Sequence, residues 1–360
     1  MRGIEQTIRR TLSPVSIGPK GRVLVAACTR KPLDHSDGYD LRVFYVYSAH
    51  QNATQNAGSV RNAGSTAMTL SDVLPQIRAL PIWQGEVTVE PLAGGITNVN
   101  YIAEDAAGKY VVRVGDDIPL HQIMRFNERS AARAAHAAGL SPAVLHASGR
   151  FTVLEFIEGR TLKEEDIRDP DLLPRVLDLV IACHRELPGH LRGPVLVFWV
   201  FHVIRDYGAT LIERGSTHAK LVPECLETAR ALERAAGPFD IVFGHNDLLS
   251  SNFIDDGTRL WLIDFDYAGF NTPLFDLGGL ASNNGLSAEQ EDRMLEIYFG
   301  RPVTDDLRRR YGAMKCASLL RETMWSMVSE ITSTIDFDYT AYTAENLARF
   351  RAALTDFQAS

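Results

Sequence analysis

Segment 243–269, FGHNDLLSSNFIDDGTRLWLIDFDYAG, constrains the fold of this chain more than any other stretch. It places five carboxylates and two Asn side chains between apolar runs, and its dipeptide Asp256-Gly257 is a strong turn signal for a β-hairpin. A hairpin brings the end of its second strand back beside the start of its first. Asp264 is therefore predicted to lie close to Asn252. A hairpin whose polar ends are merely solvated would have the same composition as a functional site. Only the spacing of the polar residues can distinguish these two interpretations.

The spacing of Asp247, Asn252 and Asp264 favours metal-assisted phosphoryl transfer. Asn252 follows Asp247 by five residues, and Asp264 follows Asn252 by twelve. Mg²⁺ prefers hard oxygen ligands, takes few protein groups and completes its shell with phosphates. Asn252 and Asp264 can share such a cation, while Asp247 faces an incoming hydroxyl without binding the metal.

The composition argues against several classes of function. Of 360 residues, 45% are hydrophobic and 23% charged, as in ordinary folded soluble proteins. A formal net charge of −8 offers no basic stripe for nucleic acid or an anionic membrane. The longest apolar run, 195–204, is too short to span a bilayer, and four scattered cysteines without a C-x-x-C motif indicate reduced thiols. We expect a cytoplasmic protein that binds no nucleic acid and is not integral to a membrane; its oligomeric state stays open.

The first 67 residues differ from the rest of the chain. Stretch 48–67 is rich in Asn, Ala, Gly and Ser, has no apolar periodicity and cannot bury enough surface to offset the entropy lost on ordering. The earlier runs RVLVAAC and LRVFYVYSA are only weak strand candidates. We expect 1–67 to be a poorly ordered or dispensable extension, with the compact enzyme starting near Met68, which is also a candidate start of translation.

The remainder divides into two lobes. From Glu86, three runs with β-type patterns, EVTVEPL, VNYIAE and YVVRVG, precede an Ala-rich helix over 121–140 that ends near a glycine, and AVLHAS and FTVLEFIEG follow as two more strands. We therefore predict an N-lobe, 68–159, with five strands and one helix. The C-lobe, 160–360, is predicted to be mainly helical, with one helix over 195–215 and the hairpin embedded among the helices.

The order of the motifs matches that of protein kinases, in which H-R-D-x-x-x-x-N precedes D-F-G. Here HNDLLSSN precedes DFD, so Asp266 replaces the glycine, and no A-P-E follows. Upstream, AGGITN can cover phosphates between two strands, Arg113 replaces the third-strand lysine, Glu128 is its helical partner, and VLEFIEG fits a hinge for adenine. The residues thus assigned to the nucleotide site are Gly95, Thr97, Asn98, Arg113, Glu128, Glu155 and Ile157. An ordinary strand–helix salt bridge is the alternative for Arg113 and Glu128.

The chain resembles the choline/ethanolamine kinase family, within the wider aminoglycoside-phosphotransferase-like kinases. The segments GGITNVNY, YVVRVG, HNDLLSSN, LIDFDYAGFNTPLFDLG and WSMVSEITSTIDFDYTAY carry this resemblance from about residue 94 to 342. It implies an α+β, protein-kinase-like fold of two lobes and an ATP- and Mg²⁺-dependent kinase. The implied acceptor is the hydroxyl of a small amino alcohol of the choline or ethanolamine type.

The resemblance also implies roles for the residues of the catalytic region. Asp247 orients the acceptor hydroxyl and takes its proton late, while Asn252 and Asp264 hold Mg²⁺. Asp266 either assists a second Mg²⁺ or is a hydrogen-bonding loop residue. His245 braces the catalytic loop, and Asp276 anchors that loop or caps a helix.

For the acceptor, the resemblance points to Trp325, Tyr339 and Tyr342, whose rings can attract an alkylammonium group. Tyr339, like any helix aromatic, can instead serve packing. Two positions depart from the family pattern: Glu322 replaces a second Trp, and Asn283 replaces an acidic residue. A carboxylate suits an amine that can donate hydrogen bonds better than a trimethylammonium group.

Other functions stay open. Within the kinases the acceptor can also be an aminoglycoside-type sugar or a thiamine-like alcohol. A catalytically silent kinase-like binding protein is a separate class, although such proteins usually lose Asp247, Asn252 or Asp264, which are all present here.

Overall fold

The computed structural model describes residues 15–16, 22–23, 70–92, 99–333, 335 and 337–359. The chain divides into two units, Met1–Gly64 and Ser65–Ser360. In the first unit, β1 (Val15–Ser16) pairs antiparallel with β2 (Arg22–Val23), and β2 is the start of the first of the two weak strand candidates. The second candidate and the stretch 48–67 lie outside the described residues, so the dispensability of 1–67 stays a prediction.

The second unit opens with a short helix, which the sequence analysis did not predict, and continues with the predicted five-stranded antiparallel sheet. The elements are α1 (Leu70–Arg78), β3 (Thr88–Leu92), β4 (Val99–Asp105), β5 (Gly108–Val114), α2 (Arg125–Ala137), β6 (Val144–Ser148) and β7 (Phe151–Glu155). The strand order is β3-β4-β5-β7-β6. Helix α2 lies between the third and fourth strands in sequence, as predicted, and α1 is a second helix of this lobe.

The sheet buries one face against α1. Tyr101 and Ala103 on β4, Val112 on β5 and Val153 on β7 are almost completely buried and pack in one cluster with Ile77 of α1. Because successive side chains of a strand point to opposite faces of the sheet, the other face of this sheet points away from the N-lobe core.

Helix α2 links the two lobes. Its small face, Ala131, Ala132, Ala134 and Ala135, is buried in the core cluster of the C-lobe. The prediction that this helix spans 121–140 was wrong at its start: 119–121 form a 3-10 turn, after which Gln122 takes a left-handed φ of 60°.

The C-lobe is mainly helical. Its helices are α3 (Glu164–Ile167), α4 (Leu172–Arg185), α5 (Val200–Glu213), α6 (Val222–Ala236), α7 (Pro273–Asn284), α8 (Ala288–Phe299), α9 (Asp305–Thr332) and α10 (Tyr339–Ala359). Helix α5 begins at Val200, five residues later than predicted. The cause is an extended approach: the Phe198 amide donates to the Phe270 carbonyl at 2.9 Å, and the Phe270 amide donates to the Leu196 carbonyl at 3.0 Å.

Short strands hold the catalytic region between these helices. They are β8 (Arg160–Thr161), β9 (Val242–Gly244), β10 (Phe253–Asp255), β11 (Leu260–Leu262) and β12 (Gly269–Asn271). The predicted hairpin is present, with Phe253 opposite Leu262 across β10 and β11. The pairing of β12 with β9 was not anticipated from the sequence. None of the described helices is long and apolar enough to cross a membrane.

Candidate active site

A buried carboxylate on α7 holds the catalytic loop. The two oxygens of Asp276 accept hydrogen bonds from the backbone amides of His245, at 2.8 Å, and Asn246, at 2.7 Å. Nε2 of His184 lies 2.8 Å from the same carboxylate. Helix α7 is capped instead by Thr272, whose hydroxyl accepts from the Leu274 amide. Asp276 is thus in the position expected of the loop anchor, and the cap alternative is wrong.

His245 and Asn246 give the loop its shape. His245 is fully buried, its Nε2 lies 2.9 Å from the Ile263 carbonyl, and burial lowers its pKa, as expected of a brace. Asn246 has a φ of 65° and donates to the Tyr267 carbonyl at 2.9 Å. Sequence reasoning missed Asn246, although Asn is among the few residues that tolerate left-handed backbone. A Cβ on Gly244 would come within 2.8 Å of the Asn246 amide oxygen, so this close turn requires glycine.

The loop places Asp247 in the wall of a pocket. Asp247 is half-buried there, and burial raises its pKa to about 8, with Glu322 and Asp264 adding to the rise and Arg321 opposing it. A carboxylate with a pKa near neutrality is suited to exchange a proton with a bound hydroxyl.

Asn252 and Asp264 form a pair of oxygen donors. The Asn252 amide nitrogen donates to the Asp247 carbonyl at 2.9 Å, which leaves the amide oxygen as its ligand end. The backbone bond from Ile263 to the Asn252 carbonyl, at 3.0 Å, extends the hairpin ladder and brings Asp264 alongside. Asp264 has a φ of 67°, a backbone strain that commonly marks functional positions.

This pair fits Mg²⁺. The Asp264 side chain is 32% exposed, and although burial alone would raise its pKa, Arg113 holds it below the usual value. Ionised carboxylate and amide oxygens are the hard donors that Mg²⁺ takes. Within the described part of the chain, no cluster of three His, Cys, Asp or Glu side chains could hold a metal alone. A metal here would depend on ligands from a bound phosphate.

Asp266 is placed differently from a metal ligand. Its side chain is almost completely buried, and Oδ1 accepts from Arg113 at 3.0 Å and from Arg125 at 2.9 Å. Of the two roles predicted for it, the geometry favours the hydrogen-bonding loop residue over the ligand of a second metal ion. The role of Asp266 at a metal ion stays a prediction.

Two arginines and three carboxylates join the lobes at this point. Arg113 on β5 contacts Glu128 on α2 at 3.3 Å, as expected, and also Asp264 at 2.9 Å. Arg125 contacts the other Glu128 oxygen at 2.7 Å. Sequence reasoning missed Arg125, whose only signal was its i,i+3 spacing from Glu128. With Asp266 included, the cluster has one more negative than positive charge, which suits a cation.

The remaining nucleotide predictions have mixed outcomes. Gly95, Thr97 and Asn98 lie outside the described residues. Glu155 ends β7, and its backbone amide donates to the Ala143 carbonyl at 3.0 Å. That amide is used within the sheet, which leaves the carbonyl as the backbone group for adenine, and the assignment of Glu155 to the nucleotide site stays a prediction. Ile157 follows in the connection to the C-lobe and is half-buried.

A narrow pocket beside Asp247 is the candidate acceptor site; its cavity volume is about 10 Å³, room for about one water molecule, so an acceptor would need its walls to move apart. Its lining residues are Asn246, Asp247, Leu248, Phe275, Asp276, Gly279, Asn283, Ser318, Leu319, Arg321 and Glu322. Glu322 and Asn283 were predicted acceptor residues and are present. The Tyr342 hydroxyl donates to Glu322 Oε1 at 2.9 Å, and Arg321 Nη1 donates to Oε2 at 2.6 Å. The pocket next to the catalytic carboxylate is therefore polar.

The three rings assigned to the acceptor, Trp325, Tyr339 and Tyr342, are not among the residues that line this pocket. Trp325 is only 3% exposed. Its ring centroid lies 5.3 Å from that of His121, 6.0 Å from that of Tyr339 and 6.4 Å from that of Tyr342. Because other rings already surround the indole, Trp325 and Tyr339 serve packing in this structure, the alternative that the sequence left open for Tyr339.

Comparison with known proteins agrees with this geometry. The model of the phosphotransferase enzyme family matches residues 88–312, more than half of the chain. The chain belongs to this family. A probable ethanolamine kinase from Arabidopsis thaliana is 28% identical, covering 71% of this chain and 76% of that protein.

Solved structures place the chain in the same group. A choline/ethanolamine kinase family protein from Mesorhizobium loti has a TM-score of 0.65 and 28% identity, covering 79% of this chain and 94% of that one. The choline kinase LicA from Streptococcus pneumoniae shares the fold, with a TM-score of 0.63 and 24% identity over 76% and 94% of the two chains. The predicted α+β, two-lobe fold and the predicted family resemblance are confirmed, and this protein is a phosphotransferase.

Proposed function

We propose that this protein is an ATP- and Mg²⁺-dependent kinase that phosphorylates the hydroxyl of a small amino alcohol. The observation that carries the proposal is that Asp247 and Glu322 line the same pocket. One carboxylate can receive the proton of a hydroxyl, and the other can bind an amine a short distance away. The names of the relatives, which include ethanolamine and choline kinases, support this acceptor class.

Asp247 is the proposed catalytic residue. It orients the acceptor hydroxyl towards the nucleotide and takes its proton late in the transfer, because phosphoryl transfer depends mainly on positioning and charge stabilisation. The bonds from Asp276 to the amides of His245 and Asn246 fix the loop that aims it. Preorganisation of this kind lowers the entropy lost when the reacting groups meet.

Asn252 and Asp264 are the proposed ligands of Mg²⁺. The ion, when bound, would neutralise charge on the β- and γ-phosphates of ATP. Arg113, held by Glu128, lies beside Asp264 and keeps its charge at any relevant pH, so it can exchange its contact with Asp264 for one with a phosphate oxygen when a nucleotide binds.

Glu322 favours a primary or lightly substituted amine over a quaternary ammonium. An ammonium group with N–H bonds can donate charge-assisted hydrogen bonds to this carboxylate, whereas a trimethylammonium group cannot. The latter depends on aromatic faces, and Trp325, the ring assigned to that role, is packed away from the pocket. We therefore place ethanolamine-like acceptors ahead of choline.

ADP formation with Mg-ATP and a panel of acceptors tests the proposal. The panel contains ethanolamine, methylated ethanolamines, choline, an aminoglycoside and thiamine, with Asp247→Asn as the background. We expect turnover with amino alcohols and a decline as methyl groups are added to the amine. If no small amino alcohol, with or without a carboxylate, raises turnover at millimolar concentration above the Asp247→Asn background, the proposal is wrong, and turnover of the sugar or thiamine would identify the acceptor class.

A further inference from the structure

Arg321 on α9 is a buried cation inside the proposed acceptor pocket. Its side chain is 5% exposed, and its guanidinium lies over the Tyr267 ring, 4.3 Å from the centroid. It lines the pocket together with Asp247 and Glu322. Glu322 pairs with this charge, and Asp247 and Asp276 also line the pocket, so Arg321 is a cation beside three carboxylates.

One edge of this guanidinium is already used and the other is not. Nη1 donates to Glu322 Oε2 at 2.6 Å. Nε and Nη2 are buried and have no hydrogen-bond partner among the residues that the structure describes. Nε–H and Nη2–H point in the same direction and form the two-pronged edge that matches a carboxylate. A buried donor without a partner costs free energy, so a carboxylate that reached this edge would gain two hydrogen bonds.

Arg321 and Glu322 together present opposite charges to the pocket. Glu322 is also hydrogen-bonded by Tyr342, which fixes its carboxylate. A zwitterion can place its ammonium group at Glu322 and its carboxylate at Arg321. It adds no net charge to the pocket, whereas a simple amine adds one positive charge beside Arg321. The pair therefore suits an acceptor that carries both groups.

We propose that Arg321 binds a carboxylate of the acceptor through Nε and Nη2, so that the acceptor is a small hydroxy amino acid. The inference rests on the proposed function of the pocket and narrows its acceptor class. Asp247 receives the hydroxyl proton, Glu322 binds the ammonium group, and Arg321 selects for the carboxylate. Arg321 is thus a specificity-determining residue.

Matched acceptors test this directly in the unmodified protein. L-Serine is ethanolamine with a carboxylate on the amine-bearing carbon, and L-homoserine bears the same relation to 3-aminopropanol. L-Serinamide keeps the size of serine without its negative charge. We expect kcat/KM to be higher for each hydroxy amino acid than for its matched amino alcohol, by roughly 10- to 100-fold for one bidentate, charge-assisted contact. Serinamide is expected to behave like ethanolamine.

Substitution of Arg321 tests the residue. Arg321→Lys keeps the charge without the two-pronged edge, and Arg321→Gln removes both. Each variant should lose most of the preference for the carboxylate-bearing acceptors, whereas Arg309→Lys, on an exposed part of the same helix, should match the unmodified protein. Thermal unfolding reports whether each variant is folded, and the acceptor panel decides the proposal even if neither Arg321 variant folds.

The outcomes separate the two proposals. A preference for ethanolamine over L-serine overturns the role of Arg321 but leaves the proposed function intact. An equal loss of kcat for every acceptor in the Arg321 variants, with the preference unchanged, also overturns it, because the oxyanion at Arg321 is then the transferred phosphoryl group. If no amino alcohol and no hydroxy amino acid exceeds the Asp247→Asn background, the proposed function itself fails.

Discussion

At the scale of single residues, Asp247 and Asp264 should fail in different ways. Asp247→Asn is expected to fold, to bind Mg-ATP and to lose roughly 10²–10⁴-fold in kcat, because it removes the group that receives the acceptor proton. Asp264→Asn should weaken the binding of the Mg-nucleotide itself, since it removes a proposed metal ligand. Isothermal titration with Mg-ATP and steady-state kinetics measure the two effects. Near-normal kcat in Asp247→Asn would show that its role is assigned wrongly.

His121 predicts a pH dependence of stability. Its ring is buried beside Trp325, Tyr207, Ser329 and Arg321, and burial, followed by the charge of Arg321, lowers its pKa to about 3. The unfolded chain binds a proton near pH 6.5 whereas the folded protein does not. Stability is therefore present above pH 6.5 and is lost as the pH falls towards 3, by up to about 1.4 kcal/mol per pH unit.

Urea unfolding between pH 7 and 5 measures this effect. His121→Gln should show a shallower decline than the unmodified protein, while His202→Gln, on an exposed position, should leave the slope unchanged. Equal slopes in all three proteins would mean that His121 is protonated in the folded state.

The residues that the sequence located share one property: their spacing is itself a pattern. Asp247, Asn252 and Asp264 stand at fixed distances along one hairpin and could be recognised together. Arg125 and Arg321 could not, because each acts through partners far away in sequence, at Asp266 and in the pocket beside Asp247. The burial of a charged side chain and the residues with which it pairs depend on tertiary packing. The local sequence pattern does not encode that packing.

At the scale of elements, the contact between α7 and α9 predicts opposite effects for two adjacent glycines. A Cβ on Gly278 would lie 2.8 Å from Lys315 Cα and 2.9 Å from Lys315 N, so the helices would have to move apart. Gly278→Ala should destabilise the protein by ~1–3 kcal/mol. A Cβ on Gly279 would lie 3.5 Å from Ser318 Oγ, an ordinary contact, so Gly279→Ala should be neutral or stabilise by up to ~1 kcal/mol.

Chemical denaturation of both variants checks this pair. Because both substitutions add the same methyl group to the same helix, propensity and chain entropy are matched, and only the neighbour differs. Equal stabilities would show that the helices tolerate separation at Gly278.

Elements with strong periodicity were predicted well, and their starts less well. The five strands and the hairpin followed from alternation and from the turn at Asp256-Gly257. Helix α2 began later than expected because Gln122 interrupts the helical backbone, and α5 began later because 196–198 hydrogen-bond to β12. The hydrogen bonds of 196–198 are made to a strand distant in the sequence, so a local sequence pattern cannot predict them.

At the scale of the whole molecule, the prediction concerns residues 1–67. The boundary between the two units of the chain, at Gly64 and Ser65, lies close to the change in composition at Met68. A chain that begins at Met68 should fold and retain full kcat and KM, because the described residues of the active site all lie beyond this point. Circular dichroism and acceptor-stimulated ADP formation check it. An insoluble or inactive product would show that the segment belongs to the enzyme.

The contact between Arg113 and Asp264 has a consequence for the order in which ligands can assemble. Free Mg²⁺ has to compete with a guanidinium that already occupies one Asp264 oxygen. A nucleotide phosphate gives Arg113 a replacement partner and gives the ion further ligands, so the two bind with positive cooperativity. Titration should show weak binding of Mg²⁺ alone and strong binding with ATP present. Such cooperativity would make the proposed site bind the metal–nucleotide complex in preference to the free ion.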